Sequence, residues 1–197
     1  MLASHPKIDL PILHLVGEEA DRLGLECYVI GGYVRDIFLH RDSTDIDVVV
    51  VGSGIDLAQA VAKRLGKGAH LSVFKTYGTA QVKRGKIELE FVGARRESYQ
   101  HDSRNPIVED GTLEDDQNRR DFTINAMAVC LNKDRYGKLL DPFGGIHDMN
   151  ECTIRTQRRR DQRRQRAQRC VLPYPASAGQ PRTKVRQPLA SLGGVAP

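Results

Sequence analysis

The segment DIDVVVVG, residues 45–52, restricts the possible folds of this chain more than any other segment. It contains five apolar residues that favour β-structure, Ile46 and Val48 to Val51, and Gly52 closes the run. A run of this kind is typical of a strand that contributes to a hydrophobic core. The pattern therefore predicts a domain that is built around a β-sheet.

The segments around this strand alternate between helical and extended patterns. Apolar residues at helical spacing predict helices over 9–24, 34–40 and 55–66. Further strands are predicted over 27–32, 70–74, 79–84 and 86–92, and Gly85 marks a turn between the last two. We expect residues 96–118, which are polar and acidic, to form a mobile loop, and residues 122–131 are apolar again. This order predicts an α/β (α+β) fold around one mixed sheet.

The net charge of +5 conceals two regions of opposite charge. Residues 157–197 contain ten basic residues, one acidic residue and five of the nine prolines. Residues 1–156 contain 20 basic and 24 acidic residues, a charge of −4. A basic, proline-rich segment with few apolar residues has little to bury in a core. We therefore expect a compact domain over 1–156 and a disordered basic tail over 157–197.

Composition also limits the class of protein. No apolar run approaches the ~20 residues that a membrane-spanning helix needs, and the first residues lack the pattern of a secretory signal. The cysteines stand far apart, without a CxxC pair, at Cys27, Cys130, Cys152 and Cys170. We expect reduced, structural thiols in a cytoplasmic protein that has no membrane partner.

Two segments have residues that are suited to binding phosphate. GGYVRD, residues 31–36, lies between a predicted strand and a predicted helix, where glycine N–H groups can approach an anion and Arg35 can donate two hydrogen bonds. NRRDFTINAMA, residues 118–128, places Arg119 and Arg120 before a predicted helix start, with Asp121 or Thr123 as the N-cap. Each segment also has a simpler interpretation: the first could be a plain tight turn, and the second could be a surface charge cluster.

Paired carboxylates begin the apolar strand. Asp45 and Asp47 lie on one face of it, about 7 Å apart along the chain, and they repel each other unless a cation lies between them. Carboxylates together with substrate phosphates are typical ligands of Mg²⁺; the alternative is that both residues are simply solvated. Glu88 and Glu90 share a face of strand 86–92, and either could complete a two-metal site. The periodicity does not decide between them.

Taken together, these segments resemble the head domain of class II tRNA nucleotidyltransferases, which are the CCA-adding enzymes and the related bacterial poly(A) polymerases. GGYVRD, the DID strand, ELEFVGAR, RRDFTINAMA and LLDPFGG occur in the family's order over roughly residues 25–156. The resemblance implies a nucleotidyltransferase fold, a small mixed sheet with helices packed mainly on one side. It also implies that Asp45, Asp47 and Glu90 are catalytic and bind two Mg²⁺ ions.

The resemblance further implies a reaction and its contacts. RNA would attack the α-phosphorus of CTP or ATP through its 3′-hydroxyl, as in the template-independent addition of CCA to tRNA, and pyrophosphate would leave. Gly32 and Arg35 would meet the phosphates, Arg120 the triphosphate and ribose, and Asn125 would support that motif. The full set that the resemblance assigns to nucleotide binding is Gly31, Gly32, Arg35, Arg119, Arg120, Asp121 and Asn125.

The resemblance ends near Thr156, where the family continues into a helical neck that selects the base. One hypothesis is that residues 157–197 are a frameshift product, so that the activity is impaired. The other hypothesis is that the tail is a natural RNA-binding arm, since residues 158–169 contain seven arginines. The alternative functions are a non-catalytic nucleotide- or RNA-binding fragment and a poly(A) polymerase head. The sequence leaves open whether CCA, CC, A or poly(A) is added.

Overall fold

The computed structural model describes residues 8–98 and 107–156. The strands are β1 (Glu26–Ile30), β2 (Asp45–Val51), β3 (Ala69–Phe74), β4 (Thr79–Arg84), β5 (Ile87–Gly93), β6 (Arg95–Ser98), β7 (Ile107–Asp110), β8 (Ala128–Cys130) and β9 (Leu139–Leu140). The helices are α1 (Pro11–Leu23), α2 (Gly32–Phe38), α3 (Gly54–Leu65), α4 (Leu113–Asn118) and α5 (Gly145–Asn150). Single 3₁₀ turns are formed by Lys75–Tyr77, Thr123–Asn125 and Lys133–Arg135.

Seven strands form one mixed sheet in the order β3-β4-β5-β2-β1-β8-β9. β2 and β5 run parallel, and the other neighbouring pairs are antiparallel. The apolar strand β2 therefore has a partner on each edge, and its residues Ile46, Val48 and Val50 are buried. The expected α/β fold around one mixed sheet is confirmed. β6 and β7 pair separately as a two-stranded sheet.

The helices lie mainly on one face of the sheet, as the resemblance implied. α1, α2 and α3 share a core with strand residues such as Val29, Val48 and Phe91. On the opposite face a smaller cluster joins Leu113 of α4 to Val49 and other strand residues. This cluster covers only part of that face, because Asp45 and Glu90 on it are exposed.

Local sequence accounts for several element boundaries. Pro11 occupies the first turn of α1, and Gly24 ends that helix in the left-handed conformation with a φ of 68°. Ser53 caps α3 by accepting a hydrogen bond from the Asp56 N–H at 3.2 Å. Gly85, with a φ of 62°, turns β4 into β5 as predicted. The three N-terminal helices and the first five strands thus lie close to their predicted positions.

Two predictions are wrong. Residues 96–118 are not simply a loop, since they include β7 and α4, although 99–106 lie outside the described residues. α4 forms there because Thr112 and Asp115 make a reciprocal capping box. Residues after Arg120 do not begin a helix either: they form one 3₁₀ turn and then β8, because buried Ala128, Val129 and Cys130 pair with β1.

Asp121 and Thr123 are consequently not helix caps. The 3₁₀ turn follows Phe122, whose side chain makes no capping hydrogen bond. Thr123 instead donates its hydroxyl to the buried Asp148 carboxylate at 2.6 Å, and Arg155 donates to the same carboxylate at 2.6 Å. These contacts fix the turn against α5.

Several further predictions concern thiols, membranes and the tail. Cys27 and Cys130 are buried free thiols and Cys152 is an exposed one, while Cys170 lies outside the described residues. Within 8–98 and 107–156, none of the helices has the length and apolar content needed to cross a membrane. The predicted basic tail, 157–197, lies wholly outside the described part of the chain.

Candidate active site

The parallel pairing of β2 and β5 brings four carboxylates together. Asp45 lies opposite Glu88, and Asp47 lies opposite Glu90. The intervening Ile46 and Leu89 point into the helix-covered core, so all four carboxylates lie on the other face of the sheet. Asp47 is partly buried and Glu90 is exposed, and both line an open cavity of about 480 Å³. Asp45 lies at the exposed start of β2 and does not line that cavity.

Burial and neighbouring carboxylates make both Asp47 and Glu90 harder to ionise. Burial raises the pKa of Asp47; Asp116 and Asp45 raise it further, and the Arg120 guanidinium offsets only part of the increase. Burial also raises the pKa of Glu90; the charges of Asp47 and Glu88 add to the effect, and the charge of Arg95 offsets part of it. A cation beside these two carboxylates would relieve the repulsion.

The structure distinguishes Glu90 from Glu88. Gln81 donates its side-chain amide to Glu88, and the Lys83 ammonium lies 3.6 Å from the same carboxylate. Among the described residues, no hydrogen bond or ion pair engages the Glu90 side chain. Glu90 is therefore the carboxylate beside Asp47 that is available to a ligand.

The chemistry of the carboxylates fits a hard divalent cation. Such ions prefer oxygen ligands, and Asp47 and Glu90 supply them side by side with raised pKa values. Asp45 is two residues away on the same face. Within the part of the chain that the structure describes, no three His, Cys, Asp or Glu residues are grouped closely enough to hold an ion by themselves. The site fits a metal that takes further ligands from a bound substrate.

Gly31 lies where the carboxylates meet the arginines. Its φ of 81° and ψ of −135° favour glycine, and a Cβ there would stand 3.0 Å from Arg120 Nη1 and 3.3 Å from Asp47 Oδ2. Its N–H donates to the Met127 carbonyl at 3.2 Å. Because this N–H is bound to a carbonyl, it does not face an anion, contrary to the prediction from the glycine turn. Gly31 instead provides space for the Asp47 and Arg120 side chains.

Arg35 is tied to the second arginine segment through Asn125. The guanidinium donates to the Asp36 carboxylate at 2.9 Å through Nε and to Asn125 Oδ1 at 2.9 Å through Nη1. GGYVRD and RRDFTIN, which are 90 residues apart at these positions, are thus in direct contact. Gly32, the first residue of α2, lies beside Arg35: a Cβ at Gly32 would be 3.6 Å from Arg35 Nη2.

Asp116 orients both members of the arginine pair, and sequence reasoning missed it. Its carboxylate is fully buried and accepts a hydrogen bond from Arg119 Nε at 2.9 Å and from Arg120 Nε at 3.1 Å. Arg120 also approaches the Asn125 main-chain oxygen at 3.5 Å. The sequence Thr-Leu-Glu-Asp before the arginines is a capping sequence, so it could have predicted the helix that carries Asp116. On that helix Asp116 faces residues three and four positions later.

The cavity therefore joins residues from three separate segments. One wall carries the carboxylates of Asp47 and Glu90, and the other carries cationic and polar side chains. Its further lining residues are Val49, Val92, Arg119, Arg120, Asp121, Phe122 and Asn125. Phe122, which is 37% exposed, was not predicted as a site residue. Carboxylates facing guanidinium groups across one cavity suit a polyphosphate with its counter-cation.

Comparisons with known proteins agree with this geometry. The family model described as the poly(A) polymerase head domain matches residues 27–155. The A-adding tRNA nucleotidyltransferase of Aquifex aeolicus is 47% identical over 131 residues, 66% of this chain and 16% of that protein. The CC-adding tRNA nucleotidyltransferase of Deinococcus radiodurans is 38% identical over 133 residues, 66% of this chain and 34% of that protein.

Solved structures give the same result. A tRNA-processing enzyme in its apo form I has a TM-score of 0.67 and 40% identity over 80% of this chain and 39% of its own. A tRNA nucleotidyltransferase in complex with a primer tRNA and an incoming ATP analog has a TM-score of 0.64 and 43% identity, and the match covers 73% of this chain and 39% of its own. The chain spans less than half the length of each of these relatives. It belongs to the poly(A) polymerase head-domain family of nucleotidyltransferases.

Proposed function

We propose that this domain transfers CMP or AMP from CTP or ATP to the 3′-hydroxyl of RNA, as in the addition of CCA to tRNA. The observation that carries the proposal is the convergence at Gly31, where the side chains of Asp47 and Arg120 both lie within 3.3 Å of the position that a Cβ would occupy. A nucleotidyl transfer needs a carboxylate-bound cation on one side of the α-phosphate and positive charge near the leaving pyrophosphate. This cavity has residues for both.

Each proposed residue has a role that its position supports. Asp47 and Glu90, with Asp45 beside them, would hold divalent metal ions, which nucleotidyltransferases of this kind generally use. Mg²⁺ bound there would activate the attacking hydroxyl and neutralise phosphate charge. Arg120 and Arg119 would donate hydrogen bonds to the triphosphate from the opposite wall, with Asp121 near the ribose.

Arg35, on α2, would also contact the phosphates. Asn125 holds this guanidinium by accepting one of its N–H groups, so Asn125 acts as a positioning residue. No side-chain nucleophile takes part: the RNA 3′-oxygen forms the new bond to the α-phosphorus, and the bond to the bridging oxygen of pyrophosphate breaks.

The printed names of the relatives support the choice of substrates. They include A-adding, CC-adding and CCA-adding enzymes, and one solved relative holds a primer tRNA and an ATP analog. We therefore propose a tRNA 3′ end as acceptor, CTP and ATP as donors, and the cytoplasm as location. We also retain the prediction of a nucleotidyltransferase head over 1–156, followed by a separate basic tail.

Incorporation of label from CTP and ATP into a tRNA without its 3′ end, in the presence of Mg²⁺, tests the proposal. The full chain should incorporate label, and Asp47→Asn should lower the rate about a hundredfold or more because a metal-binding carboxylate is lost. Asp42→Asn, which alters an exposed aspartate outside the cavity, is the matched control and should match the unmodified chain. No incorporation by a folded chain that still binds nucleotide would contradict the proposal and favour a binding fragment.

A further inference from the structure

The face of the sheet that carries Asp47 and Glu90 continues outward over β4 and β3. Pairing register places Gln81 next to Glu90 and Ser72 next to Gln81. The pairs on either side follow the same pattern. Lys83 of β4 lies next to His70 of β3 on one side, and Thr79 of β4 lies next to Phe74 of β3 on the other. We call this six-residue surface the outer sheet face: His70, Ser72, Phe74, Thr79, Gln81 and Lys83.

Alternation along the strands orients these side chains away from the helices. Ala80 and Val82 of β4 are buried in the helix-covered core, and Leu71 and Val73 of β3 pack against it. The residues between them therefore point to the face that carries the carboxylates. α1, α2 and α3 all lie on the opposite face.

The outer sheet face has the chemistry of a surface for single-stranded nucleic acid. The Phe74 ring is 46% exposed, and the side chain of Lys83 is 57% exposed. Ser72, Thr79 and Gln81 add neutral hydrogen-bonding groups. Exposed aromatic rings stack on bases, and lysines contact phosphates, in proteins that bind single strands on a sheet.

The geometry of the reaction indicates which substrate this face would receive. In a transfer at phosphorus, the attacking oxygen and the leaving oxygen lie roughly in line on opposite sides of the phosphorus. The group suited to the leaving phosphates, the Arg120 guanidinium, lies beside Gly31, next to β1. β5, β4 and β3 follow β2 on the other side. The attacking hydroxyl would therefore arrive over β5 and β4.

We propose that the outer sheet face binds the last nucleotides of the acceptor RNA strand and directs its 3′-hydroxyl towards Glu90 and Asp47. This inference rests on the proposed function and adds the path of the acceptor to it. Phe74 would stack on a base, and Lys83 would contact a phosphate while remaining close to Glu88. Recognition would be largely independent of base sequence, because stacking accepts every base.

Photocrosslinking locates the acceptor directly. The probe is a short single-stranded RNA with 4-thiouridine next to its 3′-terminal nucleotide, irradiated with the full chain and mapped by tryptic mass spectrometry. The expected crosslinks fall in peptides 68–75 and 76–83, which together contain all six residues of the outer sheet face. Crosslinks confined to Pro11–Leu23 and Gly54–Leu65 on the helix-covered face, or to 157–197, would overturn the inference.

Affinity measurements with Phe74→Ala provide the second test. Loss of one base stack should weaken binding of the same RNA about fivefold or more, and affinity for ATP with Mg²⁺ should stay unchanged. Leu23→Ala, which removes a 38% exposed side chain from α1, is the control and should not change RNA affinity. RNA affinity of Phe74→Ala within twofold of the unmodified chain would overturn the inference. Failure of the unmodified chain to bind ATP would contradict the proposed function instead, while the crosslinks still report the path of the RNA.

Discussion

Replacing Gly31 by alanine adds one methyl group at the point where the carboxylates and arginines meet. The backbone there has a φ of 81° and a ψ of −135°, which costs a residue with a side chain about 1–3 kcal/mol. The new Cβ would stand 3.0 Å from Arg120 Nη1 and 3.3 Å from Asp47 Oδ2, so the guanidinium must move. We expect the free energy of unfolding to fall by about 2 kcal/mol, and the melting temperature by about 4–8 °C.

The same substitution should also impair function. A displacement of about 1 Å in a positioning group can cost about a hundredfold in rate. The contact at 3.0 Å requires a shift of only a few tenths of an ångström, so Gly31→Ala should lower the rate of nucleotide incorporation by about tenfold. The neighbouring Gly32→Ala is the matched control for stability. A Cβ at Gly32 would be 3.6 Å from Arg35 Nη2, an ordinary contact, in the first turn of α2.

Thermal unfolding and incorporation kinetics on the two variants test this reasoning. Gly32→Ala should stay within about 0.5 kcal/mol of the unmodified chain in unfolding free energy. Equal losses of unfolding free energy in both variants would refute the argument from backbone conformation. Unchanged incorporation by Gly31→Ala would refute the placement of Arg120 beside the reacting phosphates.

Two further predictions concern carboxylates around the cavity. Asp116→Asn should lower the free energy of unfolding by about 2–3 kcal/mol, because charge-assisted hydrogen bonds to Arg119 and Arg120 are lost. It should also weaken ATP binding, and both effects can be measured by urea unfolding and isothermal titration. Asp47→Asn should stabilise the metal-free chain at pH 7, because the raised pKa of Asp47 means that folding penalises its charged form. This gain should shrink as the pH falls towards the ordinary aspartate pKa of 3.8, because the carboxyl group is then protonated in both the folded and the unfolded chain and the penalty disappears. A gain in stability that is independent of pH would contradict this prediction.

The sequence predicted most of the sheet because the relevant signals are local. β2 shows an uninterrupted apolar run, and Gly85 marks the turn between β4 and β5. β8 gave no such signal, since Ala128, Val129 and Cys130 form a short buried run without periodicity. Its extended conformation depends on pairing with β1, about a hundred residues earlier in the chain.

The site was predictable in its residue types but not in its contacts. The choice between Glu88 and Glu90 depends on Gln81 and Lys83 from the neighbouring strand, which no pattern within β5 contains. Asp116 was missed because α4 is only six residues long, too short for a clear helical period. The contact of Arg35 with Asn125 likewise depends on the tertiary fold.

Comparing Glu90→Gln with Glu88→Gln in the incorporation of labelled CTP and ATP tests the central claim most directly. The two residues have the same side chain and lie two positions apart on one face of β5. Glu90→Gln should lower incorporation about a hundredfold or more, because it removes the carboxylate beside Asp47. Glu88→Gln should retain incorporation within about tenfold of the unmodified chain, since Glu88 is already bound by Gln81 and Lys83. Full activity of Glu90→Gln together with loss of activity in Glu88→Gln would contradict the assignment of the carboxylate pair.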